Sequence, residues 1–327
     1  MKSSNAFRRM LLPIVPVLLA GCIVVPVGDL LKTPDLEERT LLDGGGWLAK
    51  KKIALVEITG TISSSSDGGL LSFSEDTVSE VKARFNRIRN DSQVKAVVLR
   101  ISSPGGEVTA CDVLHHEVME LKKDTGLPVV ASVGDLGTSG AYYIAAAADS
   151  IHAHPTSIIG SIGVILHHFD VSALLQKVGV AAIPVKSGEF KDLNSVFRTM
   201  SAPERKVLQD LVDDMYSRFV DVVVAGRSGL AREAVLELAD GRVFSGTQAR
   251  ELGLIDGVGY LEDALEVARK RAGIEGATYV HYSRGRSYGA GIHAAATGVR
   301  PGAEMTLRLG TAAGGTPKLY YLWRPGL

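Results

Sequence analysis

The sequence predicts an α/β domain built on a mainly parallel sheet, and three observations predict it. Apolar, β-branched runs of strand length alternate with amphipathic stretches of helix length from about residue 52 onward. Turns of Gly and Ser follow the strand runs, as at 102–106 and 134–139. Hydrophobic residues make up 46% and charged residues 22% of the 327, the composition of a chain with a substantial core.

The N-terminal stretch stands apart from this pattern. Lys2, Arg8 and Arg9 give a basic start, residues 10–20 are apolar but broken by Pro13 and Pro16, and Leu19-Ala20-Gly21-Cys22 closes the run. It resembles a bacterial lipoprotein signal over 1–21, with Cys22 as the lipidated (palmitate-carrying) residue. The alternative is a membrane anchor retained from Met10 to about Val27. Either reading puts the rest of the chain at the membrane of the cell envelope, on the periplasmic or extracytoplasmic side. Residues 22–50 read as a tether, with Pro26, Pro34, a charged run at 35–39 and Gly44 to Gly46, and no sustained period.

A folded domain is expected over 51–275. Residues 53–59 and 94–101 are β-branched strands, and between them 73–90 carries Val78, Val81, Phe85 and Ile88 on one helical face. A helix from about 107 to 123, a strand at 127–133, a small-residue helix at 140–148 and a short strand at 150–153 follow. Small residues at 156–164 end in an apolar strand, and 170–179 suggests a helix with Val171, Leu174, Leu175 and Val178 as its apolar face. A polar loop at 186–193 carries Lys186 and Lys191. The longest helix is expected at 202–225, where Val207, Leu208, Leu211, Met215 and Phe219 keep helical spacing and Pro203 suits the first turn. Further helices are expected at 231–238, 248–254 and 261–272, with a turn at 241–246. Residues 276–327 form a C-terminal extension, rich in Gly, Ala and Arg over 285–315 and closed by an apolar segment at 319–323 suited to docking on a neighbouring surface.

Lys+Arg and Asp+Glu are both 36, so the formal net charge is zero and offers no argument for a nucleic-acid partner. Cys22 and Cys111 are the only cysteines, which excludes a disulfide framework and a cysteine-rich metal site; Cys111 reads as a buried thiol. His115 and His116 point apart on a helix. His152 and His154 would share a strand face and are the best metal candidate, but no acidic partner stands near them. No histidine is assigned to chemistry, and no metal or cofactor is implied. Tyr142 and Tyr143 read as residues that pack their helix.

Ser139 sits where a turn becomes a helix, and a serine there has two possible roles. It could cap the helix, its oxygen accepting a free backbone N–H. It could instead be a nucleophile beside backbone donors that stabilise an oxyanion. Pro104-Gly105-Gly106 has two readings of the same kind: an ordinary βα turn, or a nest of uncovered N–H groups.

Taken in order, Ser103-Pro-Gly-Gly106, Ser139-Gly-Ala-Tyr-Tyr143, Ile159-Gly-Ser-Ile-Gly-Val164 and Ser187-Gly-Glu-Phe-Lys-Asp192 resemble the signal peptide peptidase A family, in its short, single-copy bacterial form. Segments 241–246 and 249–257 fit the same pattern, and the resemblance spans roughly 52–275. It implies a crotonase/Clp-protease-like spiral of ββα units with flexible terminal extensions. It also implies a serine–lysine dyad, with Ser139 as nucleophile, Lys191 as general base and Ser161 orienting the lysine. The N–H groups of Gly106 and Gly140, with Gly105 beside them, would form the oxyanion hole. A lysine serves as a base only when burial disfavours its ammonium. Lys191 is preferred to Lys186 on the resemblance alone. Cleaved signal peptides, or other hydrophobic or unfolded peptides, are the expected substrates, handled through an acyl-enzyme. Double-length members carry the serine and the lysine in different halves, so a homo-oligomer with sites at subunit interfaces is expected here. Two other readings stay open: a crotonase-like acyl-CoA enzyme, and a membrane scaffold of the same fold without turnover.

Overall fold

The computed structural model describes residues 35–44, 51–64, 76–284, 292 and 319–323. The signal segment, Cys22 and most of the C-terminal extension therefore lie outside the described residues. In chain order the elements are β1 (Glu37–Asp43), β2 (Lys52–Thr59), α1 (Thr77–Arg89), β3 (Val94–Ser103), β4 (Gly105–Glu107), α2 (Val108–Thr125), β5 (Val129–Thr138), α3 (Gly140–Ala145), β6 (Ser150–Ala153) and β7 (Ile158–Gly160). There follow α4 (Ser172–Lys177), a 3₁₀ turn (Glu189–Asp192), α5 (Ala202–Gly226), α6 (Arg232–Leu238), β8 (Val243–Ser245), α7 (Gly246–Glu251), β9 (Gly257–Val258), α8 (Leu261–Arg271), β10 (Thr278–Ser283) and β11 (Tyr320–Leu322).

The central strands β2, β3 and β5 are apolar on both faces because helices cover both. Ile53 and Leu55 of β2 join Ala96, Val98 and Val130 beneath the Leu261, Ala264, Leu265 and Ala268 stripe of α8. The alternate residues Ala54, Val56 and Ile58 face the larger core, with Val81 and Phe85 of α1 and Leu114 and Val118 of α2. The strand period of two and the helix spacing of three and four thus meet in two layers, as the alternation predicts. The main sheet runs β1-β10-β2-β3-β5-β6-β9, with β7 on β5 and β8 on β7; only the β1–β10 and β7–β8 pairings are antiparallel.

The chain departs from the sequence pattern in three places that matter for the site. The expected turn at 134–139 is strand: β5 continues to Thr138 and changes neighbour, from β6 at Val133 to β7 at Leu136. Gly137 permits this bend, since a Cβ there would fall 2.6 Å from Val133 Cγ1. Second, the sheet takes in strands on both sides of 51–275: β1 within the expected tether, and β10 between β1 and β2. Third, Gly105–Glu107 is a short strand rather than a plain turn, and β11 pairs with it.

Residues 165–200 make an excursion from the body. The expected helix forms as α4, but none of its residues is buried. Ile183 and Val185 are 83% and 101% exposed. Of the apolar face read from the sequence, Leu174 and Val178 are 60% and 64% exposed, while Val171 and Leu175 are half-buried. No helix among the described residues is long and apolar enough to cross a membrane.

Candidate active site

Ser139 joins β5 directly to α3, and its backbone answers the question of its role as a cap. Its φ of 54° and ψ of −121° lie outside the extended region that a capping residue adopts, and its side chain makes no capping bond. A non-glycine residue held there costs on the order of 1–3 kcal/mol and persists only where its surroundings dictate it. Here they do. The Ser139 N–H donates to Gly160 O at 2.7 Å, its carbonyl accepts from Tyr143 N–H at 3.0 Å, and all of α3 is buried. The chain spends strain to aim a hydroxyl that caps nothing.

Ser161 also takes a positive φ, 51°, with its N–H donating to Arg242 O at 2.7 Å. The structure brings these two serines together, on the wall of one cavity of about 380 Å³ that Val164, Tyr216, Asp240 and Leu322 also line. Bonds from Arg242 hold the Asp240 carboxyl down to about 2.

The glycines separate into different roles. Ser103 Oγ donates to Gly60 O at 2.7 Å and accepts from Gly105 N–H at 3.1 Å. Gly105, expected beside the oxyanion donors, therefore has its N–H committed elsewhere. Its φ of 97° and a hypothetical Cβ 2.0 Å from Tyr321 O make its role steric. A Cβ on Gly106 would fall 1.9 Å from Ile62 O, and one on Gly140 would fall 2.3 Å from Cys111 Sγ and 3.1 Å from Tyr321 O. Gly140 opens α3, where first-turn N–H groups have no intrahelical acceptor.

The C-terminal strand lies in this cleft. Trp323 N–H donates to Pro104 O at 2.9 Å and Val108 N–H to Leu319 O at 3.1 Å. In an antiparallel ladder these bonds make the intervening Tyr321 and Gly106 a hydrogen-bonded pair, with Gly106 N–H directed at Tyr321 O. On its other edge, Tyr320 exchanges bonds of 3.0 and 3.1 Å with Ile165. Sequence reading found the apolar segment 319–323 but had no signal for where it docks.

Lys191 is placed differently. It is exposed on the 3₁₀ turn and does not line the cavity of Ser139, so one chain does not bring the two together. Among the described residues no ion pair or hydrogen bond engages its ammonium. Lys186, by contrast, is committed to Asp192 Oδ1 at 2.6 Å and Glu189 O at 2.9 Å. Arg198 clamps the turn to α5 by bonding both Asp192 and Glu204. Those bonds, with Lys186 adding to the first, push the Asp192 carboxyl far below its usual range and Glu204 to about 2.

The histidines are occupied structurally. His152 shares a 2.8 Å hydrogen bond with Ser150, His154 packs on Tyr260, and His115 packs edge-on against Tyr143. Among the described residues no group of three or more His, Cys, Asp or Glu is arranged to hold a metal. Tyr142 and Tyr143 are both buried, donating to Leu254 O at 2.7 Å and Asp112 Oδ1 at 2.6 Å.

Residues 121–275 match peptidase family S49. A protein of Enterococcus faecium that carries the name signal peptide peptidase SppA is 37% identical over 248 residues, covering 76% of this chain and 71% of that one. A Synechocystis sp. protein named as a protease is 42% identical over 226 residues, 69% of this chain and 76% of that one. Protease 4 of Haemophilus influenzae is 34% identical over 67% of this chain, which spans 34% of its length. The chain belongs to peptidase family S49, the signal peptide peptidase A family of serine peptidases.

Proposed function

We propose that this S49 peptidase is an endopeptidase that cleaves extended hydrophobic peptides through a Ser139–Lys191 dyad shared between subunits. The observation that carries this reading is the strained, uncapped Ser139 beside the Gly106 and Gly140 N–H groups.

A substrate strand adds between β4 and the backbone at Ile165, the track that β11 follows. Its carbonyl lies against the Gly106 and Gly140 donors, which stabilise the oxyanion as Ser139 Oγ attacks. Lys191 of a neighbouring subunit takes the serine proton and passes it to the leaving amine. Water then attacks the acyl-enzyme, and the lysine takes that proton in turn. Docking of the excursion buries the lysine, which favours the neutral amine a base requires. Three features support assembly: α4 has no buried residue, Ile183 and Val185 are exposed, and Lys191 is unengaged among the described residues. The committed ammonium of Lys186 supports the choice of Lys191. Ser161, on the same wall as Ser139, would meet the incoming amine. Lipidation at Cys22 would hold the assembly on the extracytoplasmic face of the membrane, where signal-peptide remnants are released.

The acyl-CoA alternative falls with the family assignment. A scaffold without turnover is separated by experiment. The full chain is assayed on a fluorogenic hydrophobic peptide beside Ser139→Ala and Lys191→Met. Loss of nearly all turnover in both folded variants is expected. Failure of a fluorophosphonate to label Ser139 in an assembled wild type would favour the scaffold.

A further inference from the structure

The Gly106 N–H faces the cleft, and residues 60–64 brace it from behind. A peptide unit is planar and trans, so the Gly105 C=O and the Gly106 N–H point in opposite directions from one plane. Gly105 O accepts the Ile62 N–H at 2.9 Å, and the Glu107 N–H donates to Ile62 O at 2.9 Å. Ile62 thus grips the rear edge of β4 while the front edge pairs with β11. The grip matters because this peptide unit has a glycine on each side, which leaves it free to rotate. The bracing segment is tied at both ends. At its start, Gly60 O accepts from Ser103 Oγ at 2.7 Å. At its end, the Glu107 carboxylate accepts from Ser63 Oγ at 3.1 Å and from Ser64 Oγ at 2.9 Å. Glu107 stands at the N-cap position of α2, yet its side chain makes no capping bond there. Its carboxylate serves the segment instead of the helix.

We propose that Glu107 is a positioning residue of this peptidase, a latch that keeps the Gly106 N–H aimed at the carbonyl under attack. The inference rests on the peptidase reading and deepens it. Hydrogen bonds to a carboxylate are stronger than those to a neutral acceptor, so two serines suffice to close the segment. Without them, residues 63–64 lift from β4 and the Ile62 backbone loses its hold on Gly105 O. The peptide between the two glycines then turns its N–H out of the cleft. Glu107 does not line the cavity of Ser139. Its loss therefore weakens the oxyanion, which forms only in the transition state, and leaves ground-state binding in place.

The test uses the full chain as wild type, Glu107→Ala, Glu107→Gln and Ser63→Ala/Ser64→Ala. Turnover is measured on one hydrophobic peptide. Binding is measured for two forms of it: an aldehyde, to which Ser139 Oγ adds to leave an oxyanion, and a reduced-bond form with no carbonyl to hold. Glu107→Ala is expected to lower kcat about 100-fold with KM within about twofold. It should weaken the aldehyde by as much and leave the reduced-bond peptide unchanged. The double serine variant should behave alike, and carries the comparison if Glu107→Ala does not fold. Glu107→Gln keeps one acceptor oxygen and should lose only about tenfold. Unchanged kcat in the folded variants, or equal weakening of both peptide forms, overturns the proposal. Hydrogen exchange at the Ile62 and Glu107 amides needs no turnover. It should quicken at least about tenfold in the variants, and equal exchange also overturns the latch. A wild type inert toward peptide and aldehyde, with exchange still quickened by the variants, would instead sink the peptidase reading and leave the latch standing.

Discussion

Tyr321 and Gly106 face each other as a hydrogen-bonded pair, so the N–H best aimed at an incoming carbonyl already holds one. Gly106 has no room for a side chain, with Ile62 O 1.9 Å from its hypothetical Cβ. Gly106→Ala must therefore shift the loop and turn its donor away. Peptide turnover is expected to fall by about two to three orders of magnitude, the loss typical of an oxyanion donor. Circular dichroism identifies the folded fraction against which turnover is scaled. Unchanged kcat would remove Gly106 from the oxyanion hole.

The strain at Ser139 has a thermodynamic signature. Glycine tolerates its φ of 54° and ψ of −121°, whereas alanine does not. Both Ser139→Gly and Ser139→Ala should be inactive, yet Ser139→Gly should be the more stable by about 1 kcal/mol. Denaturant titration measures the difference. Equal stability would mean that the elbow is not strained.

Arg198 should control activity without touching substrate. It ties the turn carrying Lys191 to Glu204 in the capping box of α5. Arg198→Ala should lower turnover at least about tenfold by misplacing the base while leaving the melting temperature of the sheet nearly unchanged. Asp192 and Glu204 have depressed folded values, so their contribution is complete above the ordinary carboxylate range. It is lost as pH falls from about 4 through about 2. Wild type should lose the clamp over that window, whereas Arg198→Ala should lack the transition. Tryptophan-free fluorescence labels on residue 187, compared between the two proteins, would read it.

Two histidines predict a second pH dependence, with stability falling in mild acid. Burial, as the largest cause in each, lowers His115 and His281 from 6.5 to about 4. Between those values the unfolded chain binds protons that the native state refuses, so stability rises with pH across the window. It is fully present above about 6.5 and lost towards 4. Each site contributes about 3 kcal/mol at most. His115→Gln should flatten the slope of unfolding free energy between pH 6.5 and 4.5; an unchanged slope would assign it elsewhere.

Much of this molecule is legible in its sequence, and the gaps have physical causes. The parallel core announces itself because β2, β3 and β5 are apolar on both faces, and the long α5 because its spacing is regular. The bend at Gly137 looks like a turn because glycine serves both turns and close approaches. β1 escapes notice because an edge strand can be polar: its residues are exposed or half-buried. Ser139 is legible as a special serine, but whether it caps its helix depends on backbone angles that sequence does not state. The docking of Tyr321 on Gly106 spans more than two hundred positions, beyond the reach of any local pattern.

The central claim is that Ser139 of one subunit works with Lys191 of another, and mixing two dead variants tests it most directly. Full-length Ser139→Ala and Lys191→Met are each purified, then dissociated, mixed in equal amounts and reassembled. A shared site predicts recovery of roughly a quarter of wild-type turnover, since random assembly joins an intact serine to an intact lysine at that frequency. Mixed assemblies of the expected mass that stay as inactive as either parent would contradict the account and return both residues to a single chain.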